Sequence, residues 1–242
     1  KNDGIISAAS ALDLNLTYNA ETAVDLNGSS GTFRNITINH ADADYNQVGQ
    51  ATMASLTITA GIYDAGNDGL TVTGKTTVAG TLLLNNSNPT NLGITSTSDY
   101  GLVMTGGAID MGGANVKTGA VSITSGALTP TTATWEVMSA YSSTAWNSAP
   151  SSFTKQGTLK FTSPLGGNIR TPQGMNDVIF AASSGTPTWT IVTQGFQGDN
   201  ITIGDATAAP VTNTLDTGSD RPFNAKETCQ IGTNGTINIL YG

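Results

Sequence analysis

The chain has 242 residues, of which only 11% are charged, and its formal net charge is −8. Its nine Lys and Arg residues are scattered along the sequence, which excludes the basic stripe that a nucleic-acid-binding protein needs to displace counterions. No apolar run is long enough to cross a bilayer as a helix. Apolar residues still make up 38% of the chain, which predicts a folded protein rather than a disordered one.

Pairs of apolar residues two positions apart recur along the whole chain, and this is the pattern of short strands that bury one face. The pairs are Leu12/Leu14, Ile36/Ile38, Leu56/Ile58, Leu70/Val72, Val121/Ile123, Leu159/Phe161, Val178/Phe180, Ile201/Ile203 and Ile237/Ile239. Gly, Asn, Asp and Ser are frequent between the pairs, and they favour the backbone conformations of tight turns. The chain is therefore predicted to be all-β, with inward-facing residues at these pairs.

The stretch HADAD, which begins at His40, contains candidate metal ligands. In an extended strand, His40, Asp42 and Asp44 would share one face and bring an imidazole and two carboxylates within reach of a metal ion. The alternative interpretation is a polar turn between strands. The matching stretch AASSG, from Ala181, favours this interpretation because it carries no metal-binding side chains. His40 is the single histidine of the chain, so a histidine-assisted nucleophile elsewhere is excluded. No cofactor is predicted.

The stretch GLTVTGKT, from Gly69 to Thr76, matches the phosphate-binding signature G-x-x-x-x-G-K-[ST]. Such a loop needs a helix that begins at its lysine, so that free amides point at the phosphate. Here Leu70 and Val72 alternate with threonines, and the residues after Lys75 are rich in β-branched side chains, which are poor helix formers. The sequence therefore predicts a strand, a turn and a second strand rather than a phosphate site.

Internal similarity predicts how these strands are arranged. The phrase Asp-x-Gly follows an apolar residue at Asp64, Asp110 and Asp216, and the segment 33–84 is similar to the segment 175–240. Similar units that follow one another head to tail favour a right-handed parallel β-helix, which is a β-solenoid of degenerate repeats, and residues 1–242 are predicted to form a single domain of this kind. A β-sandwich of hairpins is the alternative.

The Asp-x-Gly carboxylates are expected to cap their own turns, with calcium binding as the alternative.

Aromatic residues are concentrated in a candidate insertion at 130–157, which contains Trp135, Tyr141 and Trp146. One interpretation is an aromatic platform that binds sugar rings. The other is a widened coil, or a loop packed on the core, in which the rings serve stability. The sequence leaves both interpretations open.

Several phrases resemble the degenerate repeats of bacterial and archaeal surface β-helix proteins, of the haemagglutinin and autotransporter-passenger type. They include TFRNITIN, SLTITAGIYDAG, LTVTGKTTVAGTLLL and GTLKFTS, and the resemblance extends from Leu12 to Leu240. It implies a structural protein that lies at the cell surface or outside the cell, as a filament or sheath subunit or as an adhesin. AIDMGGANVKTGAV, from Ala108, is similar to phrases of phage tail fibres, which are trimeric β-structured shafts.

The expected function is therefore structural and non-enzymatic. Carboxylate-based cleavage of glycans needs side chains that converge, whereas Glu21, Glu136 and Glu227 lie far apart in the sequence. A carbohydrate-binding or carbohydrate-cleaving β-helix protein is the alternative. Strand-like sequence at both ends, in Ile6–Tyr18 and Thr236–Gly242, predicts pairing with further copies of the chain. The expected partners are thus the chain itself and glycans, without nucleic acid or a membrane span.

Overall fold

The computed structural model describes residues 12–17, 32–47, 49–85, 89–96, 98–149, 152–170, 174–192, 196–204, 211–219, 221 and 223–240. Within these ranges all regular elements are β-strands and there is no helix. In chain order the strands are β1 (Leu12–Leu16), β2 (Thr32–Asn46), β3 (Ala51–Asp64), β4 (Leu70–Val72), β5 (Thr76–Val78), β6 (Thr81–Leu83), β7 (Thr90–Leu92), β8 (Leu102–Met104), β9 (Ala108–Asp110), β10 (Val116–Thr118), β11 (Val121–Ile123), β12 (Ala127–Thr129), β13 (Thr134–Val137), β14 (Thr144–Ser148), β15 (Ser152–Phe153), β16 (Thr158–Phe161), β17 (Gly166–Arg170), β18 (Gly174–Phe180), β19 (Thr188–Ile191), β20 (Phe196–Ile203), β21 (Asn213–Ser219), β22 (Phe223–Ile231) and β23 (Gly235–Leu240).

The strands stack in three columns, because each coil of the chain lies on the coil before it. Column one contains the start of β3, then β4, β7, β10, β13, β16, β18, β20 and β22. Column two contains β1, the middle of β2 and β3, then β5, β8, β11, β14, β17, β19, β21 and β23. Column three contains the ends of β2 and β3, then β6, β9, β12 and β15. In the later coils the third segment is formed by the starts of β18, β20 and β22, which pair with one another, while the ends of these strands belong to column one.

Each of these strand pairings is parallel, which confirms the predicted parallel β-solenoid. A sandwich of hairpins would pair its strands antiparallel, so that alternative is wrong. The single antiparallel contact among the described residues is the bridge between Tyr141 and Thr144, which closes a tight turn between β13 and β14.

The core consists of aliphatic side chains that stack on their counterparts in the coils above and below. Ile38, Ile58 and Val78 are in register in column two and are fully buried. Thr57, which lies between the inward residues Leu56 and Ile58, is only half-buried, because successive side chains of a strand point to opposite faces. Among the predicted inward residues Ile239 is an exception, with 51% of its surface exposed. It lies on β23, the last strand that the structure describes.

Glycines allow the corners between columns to be tight, and Gly107 shows why. Its φ of 59° lies in the left-handed region, which side chains with a Cβ rarely adopt. A Cβ at this position would overlap the carbonyl oxygen of Gly80 in the preceding coil. The amide of Ala108 donates to that same oxygen at 2.9 Å, so the close approach of the two coils is part of the hydrogen-bonded ladder.

The interior becomes richer in aromatic side chains from β13 onward. A continuous set of rings begins there, and neighbouring centroids lie 4.9 to 6.3 Å apart. The rings are those of Trp135, Trp146, Phe161, Phe180, Trp189, Phe196 and Phe223. The later coils still have three inward-facing segments, because the starts of β18, β20 and β22 pair with one another and Phe196, at the start of β20, is fully buried. The segment 130–157 itself supplies β13, β14 and β15, one strand to each column.

The repeats detected in the sequence have different positions in the stack. Asp64 and Asp110 both end strands of column three, with Leu83 between them, so this repeat spans two coils. By contrast, Ile58 lies in column two, whereas Ile203, its counterpart in the similar segment 175–240, lies in column one. Both isoleucines are fully buried. The longer similarity therefore matches inward positions without matching columns.

Candidate functional site

The stretch Gly69–Thr76 forms β4, a tight corner and the start of β5. Its amides are already used in the ladder between coils. The amide of Thr73 donates to the Met53 carbonyl at 2.9 Å, and that of Gly74 donates to the Ala54 carbonyl at 2.8 Å. A phosphate-binding loop needs free amides at the start of a helix. The strand-turn-strand prediction is therefore confirmed.

The lysine of this stretch forms an ion pair at the surface. Lys75 Nζ lies 2.8 Å from Asp99 Oδ2, and about two-fifths of each side chain is exposed. The hydrogen bond from Lys75 holds the pKa of the Asp99 carboxyl below its usual range. Water screens such a pair, so it contributes little to stability.

Replacing Lys75 with alanine is expected to change the free energy of unfolding by less than about 1 kcal/mol, since exposed ion pairs are worth little. Because the pKa of Asp99 is lowered in the folded state, this small contribution is present at neutral pH and is lost as the pH falls through that pKa. Thermal unfolding at neutral and acidic pH measures the effect. Calorimetric titration with ATP and Mg²⁺ is expected to show no binding, and ATP binding that disappears in the variant would contradict the strand-turn-strand interpretation.

The metal candidates His40, Asp42 and Asp44 do not converge. The pairing of β2 with β3 is irregular at this point, and the buried positions shift from Ile38 to Ala43 as the strand turns a corner. His40 Nδ1 accepts a hydrogen bond from the amide of Asp42 at 3.2 Å. Across the described residues, no group of three or more His, Cys, Asp and Glu side chains could hold a metal ion. The corner breaks the alternation that the shared face required.

The carboxylates of the Asp-x-Gly phrases cap their own turns. Each accepts a hydrogen bond from the amide two residues further on, at 2.7 Å for Asp64, 3.0 Å for Asp110 and 2.8 Å for Asp216. This is the local capping that short acidic side chains favour in turns. The three carboxylates therefore stabilise corners of the solenoid.

The three aromatic candidates are divided between the interior and the surface. Trp135 and Trp146 belong to the buried set of rings, with 2% and 0% of their surface exposed. Tyr141 is partly exposed and packs edge-on against Tyr100, with ring centroids 5.1 Å apart. A platform for sugar rings needs exposed ring faces, which the two tryptophans do not offer. Their placement fits the interpretation in which the rings serve the packing of the core.

A groove that sequence reasoning missed follows the outer face of column one. One outward residue from each of six successive strands forms a row along it, in register from coil to coil. The row is Lys117, Glu136, Lys160, Ile179, Thr202 and Gln230. Two cavities of about 430 and 490 Å³ lie along this row and share Lys160 and Ile179. We call these cavities together the column-one groove.

The signal for this groove is present in the sequence but incomplete. The phrases TWEV, TLKF, DVIF and NITI each place one outward residue between two inward ones. What they leave open is which outward residues lie side by side, because that depends on the length of every coil between them. Only the register of the strands brings Lys160 next to Ile179.

The geometry defines the chain as a parallel β-solenoid with capped acidic corners and a groove along one outer sheet. Comparison with protein-family models, curated proteins and solved structures found no significant match. The described residues contain no helix that is long and apolar enough to span a membrane.

Proposed function

We propose that this chain is a non-enzymatic structural protein of the cell surface, which self-associates through its terminal strands into an extracellular filament or sheath. The extracellular assignment is supported by the resemblance to surface β-helix proteins. The self-association is supported by the geometry of the ends of the stack.

The observation that carries the proposal is the open edge at the C-terminal end of the stack. In the part of the chain that the structure describes, β22 pairs with β20 alone and β23 pairs with β21 alone. Each of these strands thus presents a row of backbone groups on its other side, which favours pairing with another strand. Ile231 and Ile239 lie on these strands, and each has 51% of its surface exposed.

The opposite end of column two presents a matching edge. Within the described residues β1 pairs with β2 alone, and the predicted strand-like residues before Leu12 lie outside those residues. Because all strands of the column are parallel, β23 of one copy is oriented to pair with β1 of the next. Such a contact joins two different surfaces and extends into a filament unless the rotation between copies closes it.

Packing at the two ends supports the same contact. Leu14 on β1 and Ile237 on β23 both pack against the core but remain only partly buried. Stacking of a second copy would cover both side chains, and burial of apolar surface is the main favourable term in protein association.

Replacing Ile239 with lysine is expected to abolish assembly while leaving the fold intact, since charged residues on an edge strand oppose edge-to-edge pairing. Light scattering and negative-stain imaging of the full chain measure assembly, and circular dichroism measures the fold. The matched control is Leu165→Lys, because Leu165 is 81% exposed but lies at a corner on the side of the stack. A strictly monomeric parent chain at micromolar concentration, or equal assembly in the edge variant, would overturn the proposal.

A further inference from the structure

We infer that the column-one groove binds an acidic oligosaccharide, with a sugar carboxylate on Lys160 and a sugar ring on Ile179. The groove follows the side of the stack and reaches Ile231 of β22, but Lys160 and Ile179, which carry the inference, lie on β16 and β18, away from that end. Its two cavities, of about 430 and 490 Å³, are within the range of ligand-binding clefts. The row from Lys117 to Gln230 spans roughly 24 Å at about 4.8 Å between neighbouring strands, which suits an extended ligand of several rings.

The charge in the groove favours an anion at Lys160. The neighbouring carboxylate of Glu136 is already engaged, since one oxygen accepts from Thr162 Oγ1 at 2.8 Å and the other lies 3.4 Å from Lys117 Nζ. Lys160 itself has no salt-bridge partner within the described residues, whereas Lys75 and Lys155 are both paired. An unpaired ammonium between two cavities is a site for a ligand carboxylate, in a protein whose net charge is −8.

The surroundings of Lys160 favour a sugar over other anions. Ile179 is the one apolar side chain in the row, it is directly next to Lys160, and it lines both cavities. A sugar ring has an apolar C–H face that can lie on Ile179, while its hydroxyl groups can bond to polar side chains at both ends. Thr158 lines the first cavity, and Thr202 and Gln230 line the second. This combination of an apolar floor and a few polar groups is typical of small-molecule sites.

Two other classes of ligand fit the groove less well. A nucleic acid would need several cations along its phosphates, and the row offers Lys117, already near Glu136, and Lys160. An extended peptide gains affinity by adding a strand to a sheet edge. The groove follows the face of the sheet, where the column-one strands β10, β13, β16, β18 and β20 already pair on both sides.

Calorimetric titration of the full chain with trigalacturonate, an acidic trisaccharide, tests the inference against neutral maltotriose. We expect binding of the acidic sugar that weakens with added salt and no comparable binding of the neutral one. Lys160→Gln is expected to raise the Kd at least about tenfold, because it removes a charge-assisted hydrogen bond. Ile179→Ser is expected to weaken binding as well, through loss of the apolar floor. The matched control is Lys226→Gln, an exposed lysine on β22 outside the groove, which should leave the Kd unchanged.

Thermal unfolding of each variant checks that the fold is retained, which is expected because the replaced side chains point outward. Four results would overturn the inference. They are no binding of trigalacturonate up to about 10 mM, equal binding of maltotriose, an unchanged Kd in Lys160→Gln, and equally tight binding of triglutamate, an acidic peptide without sugar rings. Loss of assembly in the edge variant would affect none of these readouts, so the two proposals fail separately.

Discussion

Replacing Ile58 with aspartate is expected to lower the free energy of unfolding by on the order of 5 kcal/mol, which is comparable to the whole stability of many domains. Ile58 is fully buried between Ile38 and Val78 of the adjacent coils. The change removes apolar burial worth about 1.5–3 kcal/mol and also places a carboxylate where it has neither water nor a cation. Urea denaturation followed by circular dichroism measures the loss, and Ile203→Asp should behave alike because Ile203 is equally buried.

Thr57→Asp is the matched control, because Thr57 is next to Ile58 but points outward and is half-buried. Its effect should be small, since the new carboxylate keeps contact with water. If Ile58→Asp does not fold, Ile58→Val still tests the position, with an expected loss of about 0.5–1.5 kcal/mol. Equal losses at Ile58 and Thr57 would show that the inward and outward faces are assigned wrongly.

Replacing Phe180 with alanine is expected to lower the free energy of unfolding by about 3–5 kcal/mol, the usual cost of removing a buried aromatic ring. Phe180 is fully buried and contacts three other rings, those of Phe161, Trp189 and Phe196. Its ring is stacked on that of Phe161, with centroids 5.2 Å apart. The cavity would therefore open where these buried rings pack on one another.

Tyr141→Ala provides the control for this prediction, because Tyr141 also contacts another ring but lies at the surface. Its loss should cost no more than about 1.5 kcal/mol, the upper value for an aromatic pair. Denaturant unfolding of both variants measures the difference. If Tyr141→Ala cost as much as Phe180→Ala, the set of buried rings would not be what stabilises this half of the chain.

Much of the fold was predictable from local patterns in the sequence. Apolar pairs such as Leu56/Ile58 and Ile201/Ile203 predicted short strands with one buried face, and the structure buries all four side chains. The Asp-x-Gly phrase predicted capped turns, and Asp64 shows the expected hydrogen bond. These features depend on a few neighbouring residues, because strand alternation and turn capping are both local properties of the backbone.

Longer-range expectations depended on register, and there the sequence was a poorer guide. His40, Asp42 and Asp44 have the spacing of one strand face, yet a corner within β2 separates them. Trp135 and Trp146 lie in a polar stretch of sequence, yet both rings fill the interior of the solenoid. A corner changes which way a side chain points without any change in the local spacing.

The sequence by itself determined that this chain forms short parallel strands with aliphatic inward faces and capped acidic corners. The tertiary structure alone decided which side chains become neighbours across coils, such as Lys160 and Ile179, which are 19 positions apart in the chain but directly paired in the sheet. The physical reason is that pairing between coils depends on the length and shape of every corner between two strands. A shift of one residue would turn each outward side chain inward, so the groove exists only through the register of the whole stack.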